Sequence, residues 1–459
     1  MSVQSTSSVA AELERVVGPG RVPAGVDPHY LHDETEVRIR GRADALVFPQ
    51  STDEVARVVA WCYDRDVPLV TRGGGTGYAG GAVPLDGGVV LCLERLARVR
   101  SFEPLLWRMH VEAGVPTARV RELARENGLV FPPDPGAAEQ SHIGGNVATN
   151  AGGPHAFKYG VTGAWVTGVE AVVPPGDVIV LGGPFRKDVA GYDLKSLLVG
   201  SEGTLGVITA AWLRLLSRPE ASYPVAAAYA SVAAGCAAIS SVIGSGVVPS
   251  ALEYLDAGTV AAAGAAFPSS LPQETAFLVL TEADGSEDGA RAVRSDLVDI
   301  LSEDALAVVA PERAAEIDAF WRWRDGVSFA VSAQRGGKVS EDIVVPLDRL
   351  REAIDETVEI GRRHGLEACS WGHAGDGNLH STFLVAPTDR AEIARAEEAA
   401  AELFELAVRL GGSITGEHGV GWVKRNQLGR QWSPKALELH AAVKRAFDPK
   451  GLLNPGKKA

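Results

Sequence analysis

An α+β fold in two domains is what this sequence predicts, and three observations carry the prediction. The chain has 459 residues, longer than one compact core accommodates. Three glycine-rich loops fall within roughly its first 210 residues. From Tyr223 to about Leu410 the texture changes to strands alternating with long helices, and Arg218-Pro219 falls at the change.

Each element has a local reason. Ser51-Thr52-Asp53-Glu54 is a capping box, followed by Val55, Val58, Val59 and Cys62 at helical spacing. That helix feeds an apolar strand, Val67 to Val70. A second helix opens near Pro116-Thr117 and ends at Asn127-Gly128. Val169 to Val173 and Val178 to Leu181 read as a hairpin closed by Pro174-Pro175-Gly176-Asp177. Beyond the boundary come a strand from Ala276 to Thr281 and helices from Ser286 to Leu301 and Leu347 to His364. A last helix follows Ser433-Pro434.

Composition narrows the function. A net charge of −14 argues against nucleic acid or an anionic membrane surface as the main partner. It leaves room for a small anion held by local positive charge. Cys62, Cys92, Cys236 and Cys369 stand singly, which disfavours a disulfide scaffold, a thiolate zinc site and an iron–sulfur cluster. No segment reads as a signal peptide or a transmembrane helix, so a cytoplasmic protein is expected. Disorder is expected only in the first few Ser/Thr-rich residues and the Lys457-Lys458 tail.

Gly75, Gly77 and Gly80 spell G-x-G-x-x-G after a strand, the pattern of a dinucleotide fingerprint. That fingerprint needs a helix to open at its last glycines. Pro84, Gly81, Gly87 and Gly88 stand where the helix would run. The Rossmann reading fails. The glycines instead offer backbone N–H groups to an anion from a loop. Two further glycine-rich stretches, Ile143 to Gly153 and Gly200 to Gly206, also carry small hydrogen-bonding side chains: Asn146, Thr149 and Asn150, then Ser201 and Thr204. Any one loop reads as a turn; three together favour a wrapped, phosphate-bearing cofactor.

Three segments carry candidate chemistry. If Gly-Asp-Gly-Asn closes a hairpin in His373 to His380, the two histidines oppose each other with Cβ atoms roughly 4.5–5.5 Å apart. They could then converge on one metal ion; a structural histidine pair reads this segment equally well. Glu417-His418, between glycines, is either a tight loop presenting two functional side chains or a solvated pair. Trp321-Arg322-Trp323-Arg324 places arginines between tryptophans, which on a helix usually means surface stacking.

Taken in order, Pro49 to Val55, R-G-G-G-T-G, F-P-P-D-P-G, I-G-G-N-V-A-T-N-A-G-G, V-G-S-E-G-T-L-G-V-I-T and N-P-G-K resemble the p-cresol methylhydroxylase-type FAD domain of the vanillyl-alcohol oxidase superfamily. The branch is that of D-lactate dehydrogenases, the glycolate oxidase flavin subunit and D-2-hydroxyglutarate dehydrogenase. The resemblance implies an FAD domain over 1–218 (core 40–218), an α/β cap domain for substrate and metal over 219–425, and a C-terminal segment, 426–459, returning to the FAD domain. It implies that Arg72, Gly73, Gly74, Gly75, Thr76, Gly77, Gly144, Gly145, Asn146, Thr149, Gly152, Glu202, Gly206, Ile208 and Asn454 line FAD. Thr76 stands where covalently flavinylated members often carry histidine, so the FAD is expected to be non-covalent. His142 departs from the usual Thr or Ser before I-G-G and is read as filling space.

By the same resemblance, His373, His380 and Glu417 ligate a divalent cation, and His418 is the catalytic base. Zinc, manganese or iron suits such an N,N,O set. Arg324 clamps the substrate carboxylate, with Ser328 and Thr382 beside it. Some relatives use a lysine that aligns near Ser340, two residues after Lys338. The implied activity is oxidation of a D-2-hydroxy acid to the 2-oxo acid, with hydride passing to flavin. Electrons would go on to a quinone, an electron-transfer flavoprotein, a cytochrome or oxygen; a homodimer is also expected. The competing functions are a non-catalytic electron-transfer subunit and a non-redox transferase on the same fold.

Overall fold

The computed structural model describes residues 6–36 and 39–458; the expectation for the first Ser/Thr-rich residues falls mainly outside them. The chain forms two compact units. Unit 1 comprises Met1–Gly152, Val161–Arg218 and Glu417–Ala459; unit 2 comprises Gly153–Gly160 and Pro219–Gly416. The chain therefore changes unit between Gly416 and Glu417, before the boundary at 425 read from the sequence. Gly153–Gly160 also departs from the sequence division. It is tied within unit 2 by His155 on Glu282 at 3.0 Å and by Lys158 and Tyr159, which both donate to Asp284.

Among the described residues, unit 1 holds three sheets, the smallest pairing Leu129–Val130 with Leu216–Ser217. The first is parallel, in the order Ala45–Val47, Val89–Cys92, Leu69–Arg72. Helix Thr52–Asp64, capped by the Ser51 hydroxyl on the Glu54 amide, buries Val55, Val58, Val59 and Cys62 in one core with Val47, Leu69 and Leu91. The second sheet is antiparallel, in the order Val99–Glu103, Arg108–Glu112, Val207–Arg214, Val166–Val173, Asp177–Gly182. Its last pair is the expected hairpin.

Two expectations for unit 1 are corrected. The second glycine-rich stretch is in part a short helix, Ile143–Thr149. Its backbone lies against Ala113, where a Cβ on Gly144 would come within 2.5 Å of the alanine methyl, so glycine here serves close packing. The C-terminal tail is not loose. Lys457 is buried, and its ammonium donates to the carbonyls of Gly81 (2.9 Å) and Val83 (2.5 Å) and to Asn454 Oδ1 (2.7 Å). Burial draws its pKa down to about 7 against the pull of Asp33 and Glu202.

Unit 2 is one seven-stranded antiparallel sheet. Its order is Ala307–Val309, Ala221–Tyr229, Phe277–Gly285, Ala251–Asp256, Ala368–Gly372, Asn378–Val385, Gly337–Val344. Leu255, Leu278, Leu280, Phe320 and Trp371 share one core. All four thiols are buried, and burial pushes each one's pKa up; they act as small apolar side chains. Among the described residues, no helix is long and apolar enough to cross a membrane.

Candidate functional site

In unit 1, no helix follows the strand Leu69–Arg72; turns run to Val89. Gly75 adopts φ +74°, and a side chain there would strike the Arg72 guanidinium folded beneath it. Arg72 itself is buried and donates to the His32 carbonyl at 2.5 Å. The other polar residues assigned to the cofactor behave likewise. Asn146 donates to Thr117 at 2.6 Å, Thr149 to the Gly145 carbonyl at 3.1 Å, and Asn454 to the carbonyls of Gly81 (2.9 Å) and Glu202 (2.7 Å). Their side chains brace the loops.

Backbone is left to meet a ligand. A Cβ added at Gly145 would meet nothing within 4 Å, and one at Gly77 would only graze Asp33. Within or next to the three glycine-rich segments, Thr71 Oγ1, Ser201 Oγ and His142 Nδ1 are buried without a hydrogen-bond partner, and each such atom calls for one. His142 caps the short helix, and burial lowers its pKa. Gly206 and Ile208 lie at the start of the buried strand Val207–Arg214.

The loop after Gly416 is also part of unit 1. The His418 ring lies over that of Tyr78, centroids 4.7 Å apart. A Cβ on Gly152 would come within 2.6 Å of a Glu417 carboxylate oxygen, so glycine there admits the carboxylate. Burial raises the Tyr78 pKa, helped by Glu36, Glu34 and Glu417. Glu202, assigned to the cofactor, turns its carboxylate toward this same loop.

In unit 2 the sequence-predicted register is wrong by a few residues. His380 opposes Trp371, not His373. A turn, Ala374–Asp376, and a left-handed Gly377 (φ +67°) lengthen the connection, so His373 sits past the strand end. The two imidazoles nevertheless meet edge to face, centroids 5.3 Å apart, both buried.

The residue that organises this region was missed. Glu253, fully buried in Ala251–Asp256, accepts from His373 Nδ1 at 2.6 Å and from Arg324 through Nε at 2.8 Å and through Nη2. That bond fixes the orientation of the His373 ring. Burial alone would raise the Glu253 carboxyl; Arg324 and His373 override it and hold it at about 2. The available signal was a charged side chain amid apolar neighbours in a strand, A-L-E-Y-L-D, that also ends on Asp256. Arg324 is buried, not a surface residue.

Lys338 donates to the Ser328 hydroxyl at 2.6 Å and lies 5.1 Å from the Trp371 ring centroid. Thr382 is fully buried, its hydroxyl bonded to Ser340 at 2.7 Å and to the His380 carbonyl at 3.2 Å. It braces the strand that presents His380. Strand register places Lys338, Ser340, Asp342, His380 and Thr382 on one face.

Comparison with known proteins now decides the family. Residues 218–458 match the family described as FAD linked oxidases, C-terminal domain, and residues 43–182 match the FAD binding domain. The chain belongs to the FAD-linked oxidase family. It is 36% identical to the glycolate oxidase subunit GlcD of Bacillus subtilis, covering 98% of this chain and 97% of that protein. It is 31% identical to a D-lactate dehydrogenase of Anaerostipes hadrus, covering 97% and 96%. The mitochondrial D-2-hydroxyglutarate dehydrogenase of Bos taurus is 34% identical, covering 99% of this chain and 84% of that one. A solved p-cresol methylhydroxylase superposes with a TM-score of 0.84 at 17% identity, covering 99% and 97% of the two chains; at that identity it shows the shared fold. This FAD-linked oxidase is an oxidoreductase with the p-cresol methylhydroxylase-type fold. Its glycine cradle, open at Gly145 and nearly so at Gly77, with buried polar atoms that lack a hydrogen-bond partner in its glycine-rich segments, fits FAD.

Proposed function

We propose that this FAD-linked oxidase dehydrogenates a D-2-hydroxy acid of the lactate, glycolate or 2-hydroxyglutarate type in a metal-dependent reaction. The observation that carries this reading is the Arg324–Glu253–His373 triad. One buried carboxylate orients both a guanidinium suited to a carboxylate and an imidazole suited to a metal. A chain that only relayed electrons, or a transferase, would have no use for that pair.

Bound FAD would supply the two-electron acceptor, and His373, His380 and Glu417 would hold a divalent cation that would supply Lewis acidity toward the hydroxyl. Arg324 holds the substrate carboxylate through the guanidinium edge turned away from Glu253. Ser328, with Lys338 on its hydroxyl, flanks that carboxylate. His418 accepts the hydroxyl proton as the α-hydrogen leaves with two electrons, giving the 2-oxo acid. Thr76 provides no nitrogen for a covalent bond to flavin, so the FAD is held by loops alone. A cytoplasmic protein acting as a homodimer, handing electrons to a quinone, an electron-transfer flavoprotein, a cytochrome or oxygen, completes the proposal.

The test is anaerobic bleaching of the flavin by a panel of D-lactate, glycolate and D-2-hydroxyglutarate. Bleaching by at least one, with colour released to the supernatant on acid precipitation, is expected. A flavin that none of them reduces would sink the reading, and colour left in the pellet would mean a covalent cofactor.

A further inference from the structure

Two buried carboxylates hold the chain on either side of Glu417-His418-Gly419. In unit 2, Asp342 is fully buried on Gly337–Val344. Its Oδ2 accepts the Gly416 amide at 2.9 Å and the Thr415 hydroxyl at 2.8 Å, and its Oδ1 accepts the Asn378 side-chain amide at 2.6 Å. In unit 1, Glu202 Oε1 accepts the Val420 amide at 2.9 Å and the Lys458 ammonium at 2.9 Å; Oε2 accepts the Gly421 amide at 2.6 Å.

Neither grip is incidental. Glu202 adopts φ +54°, a left-handed conformation that costs energy for a residue with a Cβ and persists where the surroundings enforce it. Its own amide donates to the Ala148 carbonyl at 2.7 Å, and its carbonyl accepts Asn454 at 2.7 Å. Gly419 adopts φ +83°, and a Cβ there would lie 2.9 Å from Glu202 Oε1. Gly416 is as tightly bounded on the other side, where a Cβ would approach Val344 Cγ2 to 2.8 Å.

We propose that Asp342 and Glu202 are positioning residues: they fix the backbone before Glu417 and after Gly419, so that the metal ligand and the proton acceptor occupy set places. A carboxylate suits the task because charge-assisted bonds to backbone N–H groups are stronger than neutral ones. Only three residues run between the gripped amides of Gly416 and Val420. Freeing either end lets Glu417 and His418 drift together, and a displacement near 1 Å can cost about 10²-fold in rate. The role rests on the proposed assignment of His418; the grip itself does not.

The test is Glu202→Gln and Asp342→Asn in the full-length holoprotein. Each amide side chain turns an N–H group toward N–H donors, without changing size. Hydrogen exchange read by NMR or mass spectrometry should show the Val420 and Gly421 amides protected in the wild type and released in Glu202→Gln. The Gly416 amide should be released in Asp342→Asn. Stopped-flow flavin reduction should slow by roughly 10–100-fold at saturating D-2-hydroxy acid, with the dissociation constant for the acid and the FAD content unchanged. If Glu202→Gln does not fold, Gly419→Ala applies the same disturbance from the loop side and is read the same way. Unchanged exchange in the variants overturns the grip, and released amides with an unchanged reduction rate overturn its positioning role. FAD loss with exchange unchanged returns Glu202 to the cofactor. If no hydroxy acid reduces the wild-type flavin, the functional proposal falls while the exchange data still decide the grip.

Discussion

Unit 1 builds its candidate site from backbone, whereas unit 2 builds its own from side chains on neighbouring strands. In unit 1 the polar motif residues Arg72, Asn146 and Asn454 turn inward to brace loops, and glycines such as Gly145 are left facing open space. In unit 2, Glu253, Arg324, His373 and His380 stand buried, with Glu253 holding Arg324 and His373. A backbone cradle is sensitive to an added Cβ. A side-chain site is sensitive to a lost charge or a turned hydrogen bond.

The largest expected effect falls on the proton acceptor. His418→Ala should slow anaerobic flavin reduction by roughly 10²–10⁴-fold, the usual range for losing a positioned base, while FAD and metal contents stay near wild type. Reduction at the wild-type rate would make His418 structural.

Next comes the shared carboxylate. Glu253→Gln keeps an acceptor but removes the charge that orients His373 and Arg324. Affinity of the chelator-stripped protein for zinc or manganese, measured by calorimetry, should fall about 10–100-fold, as for other partners of metal-bound histidines. Unchanged affinity would detach Glu253 from the metal.

Unit 1 has its own charge cluster, and it predicts a pH dependence. Glu170 accepts from Arg100 (2.9 Å), Thr52 (2.6 Å) and Thr209 (2.8 Å). Burial would raise its pKa, but these partners hold it at about 2, below its ordinary value of 4.5. A depressed carboxyl contributes stability above pH 4.5 and loses it as pH falls toward 2. Glu170→Gln should therefore be less stable at neutral pH by about 1–2 kcal/mol, and denaturation curves should converge with wild type across that acid window. A constant gap down to pH 2 would mean that the carboxylate charge is not what stabilises.

The smallest effect separates the two kinds of site most sharply. Gly145 lies in a short helix, where alanine is favoured over glycine by about 1 kcal/mol, and no protein atom would obstruct the new Cβ. Gly145→Ala should leave the apoprotein as stable or more so, yet weaken FAD about fivefold by fluorescence titration. Unaltered FAD binding would move the cofactor off this glycine.

Elements with local signatures were legible in the sequence. The helix cap at Ser51, the hairpin around Pro174-Pro175 and the absence of a helix after Gly80 all follow from short-range chemistry, although Glu54 turns to the Gln50 amide and so does not complete the expected capping box. The family and its fold were legible from the ordered motifs. What was hidden depends on distant partners. Glu253 looks unremarkable until the sheet brings His373 beside it and a helix brings Arg324. The histidine register slipped because a turn of glycines constrains loop length weakly. Lys457 read as a solvated tail because nothing local announces the carbonyls of Gly81 and Val83 that hold it.

Metal dependence is the central claim of the proposed function, so it is best tested directly. Protein stripped with chelator and repurified should keep its yellow FAD. Mixed anaerobically with a D-2-hydroxy acid that bleaches the untreated protein, it should fail to bleach, and one equivalent of zinc or manganese should restore the rate for the D but not the L enantiomer. Full-rate bleaching by the metal-free protein would contradict the account.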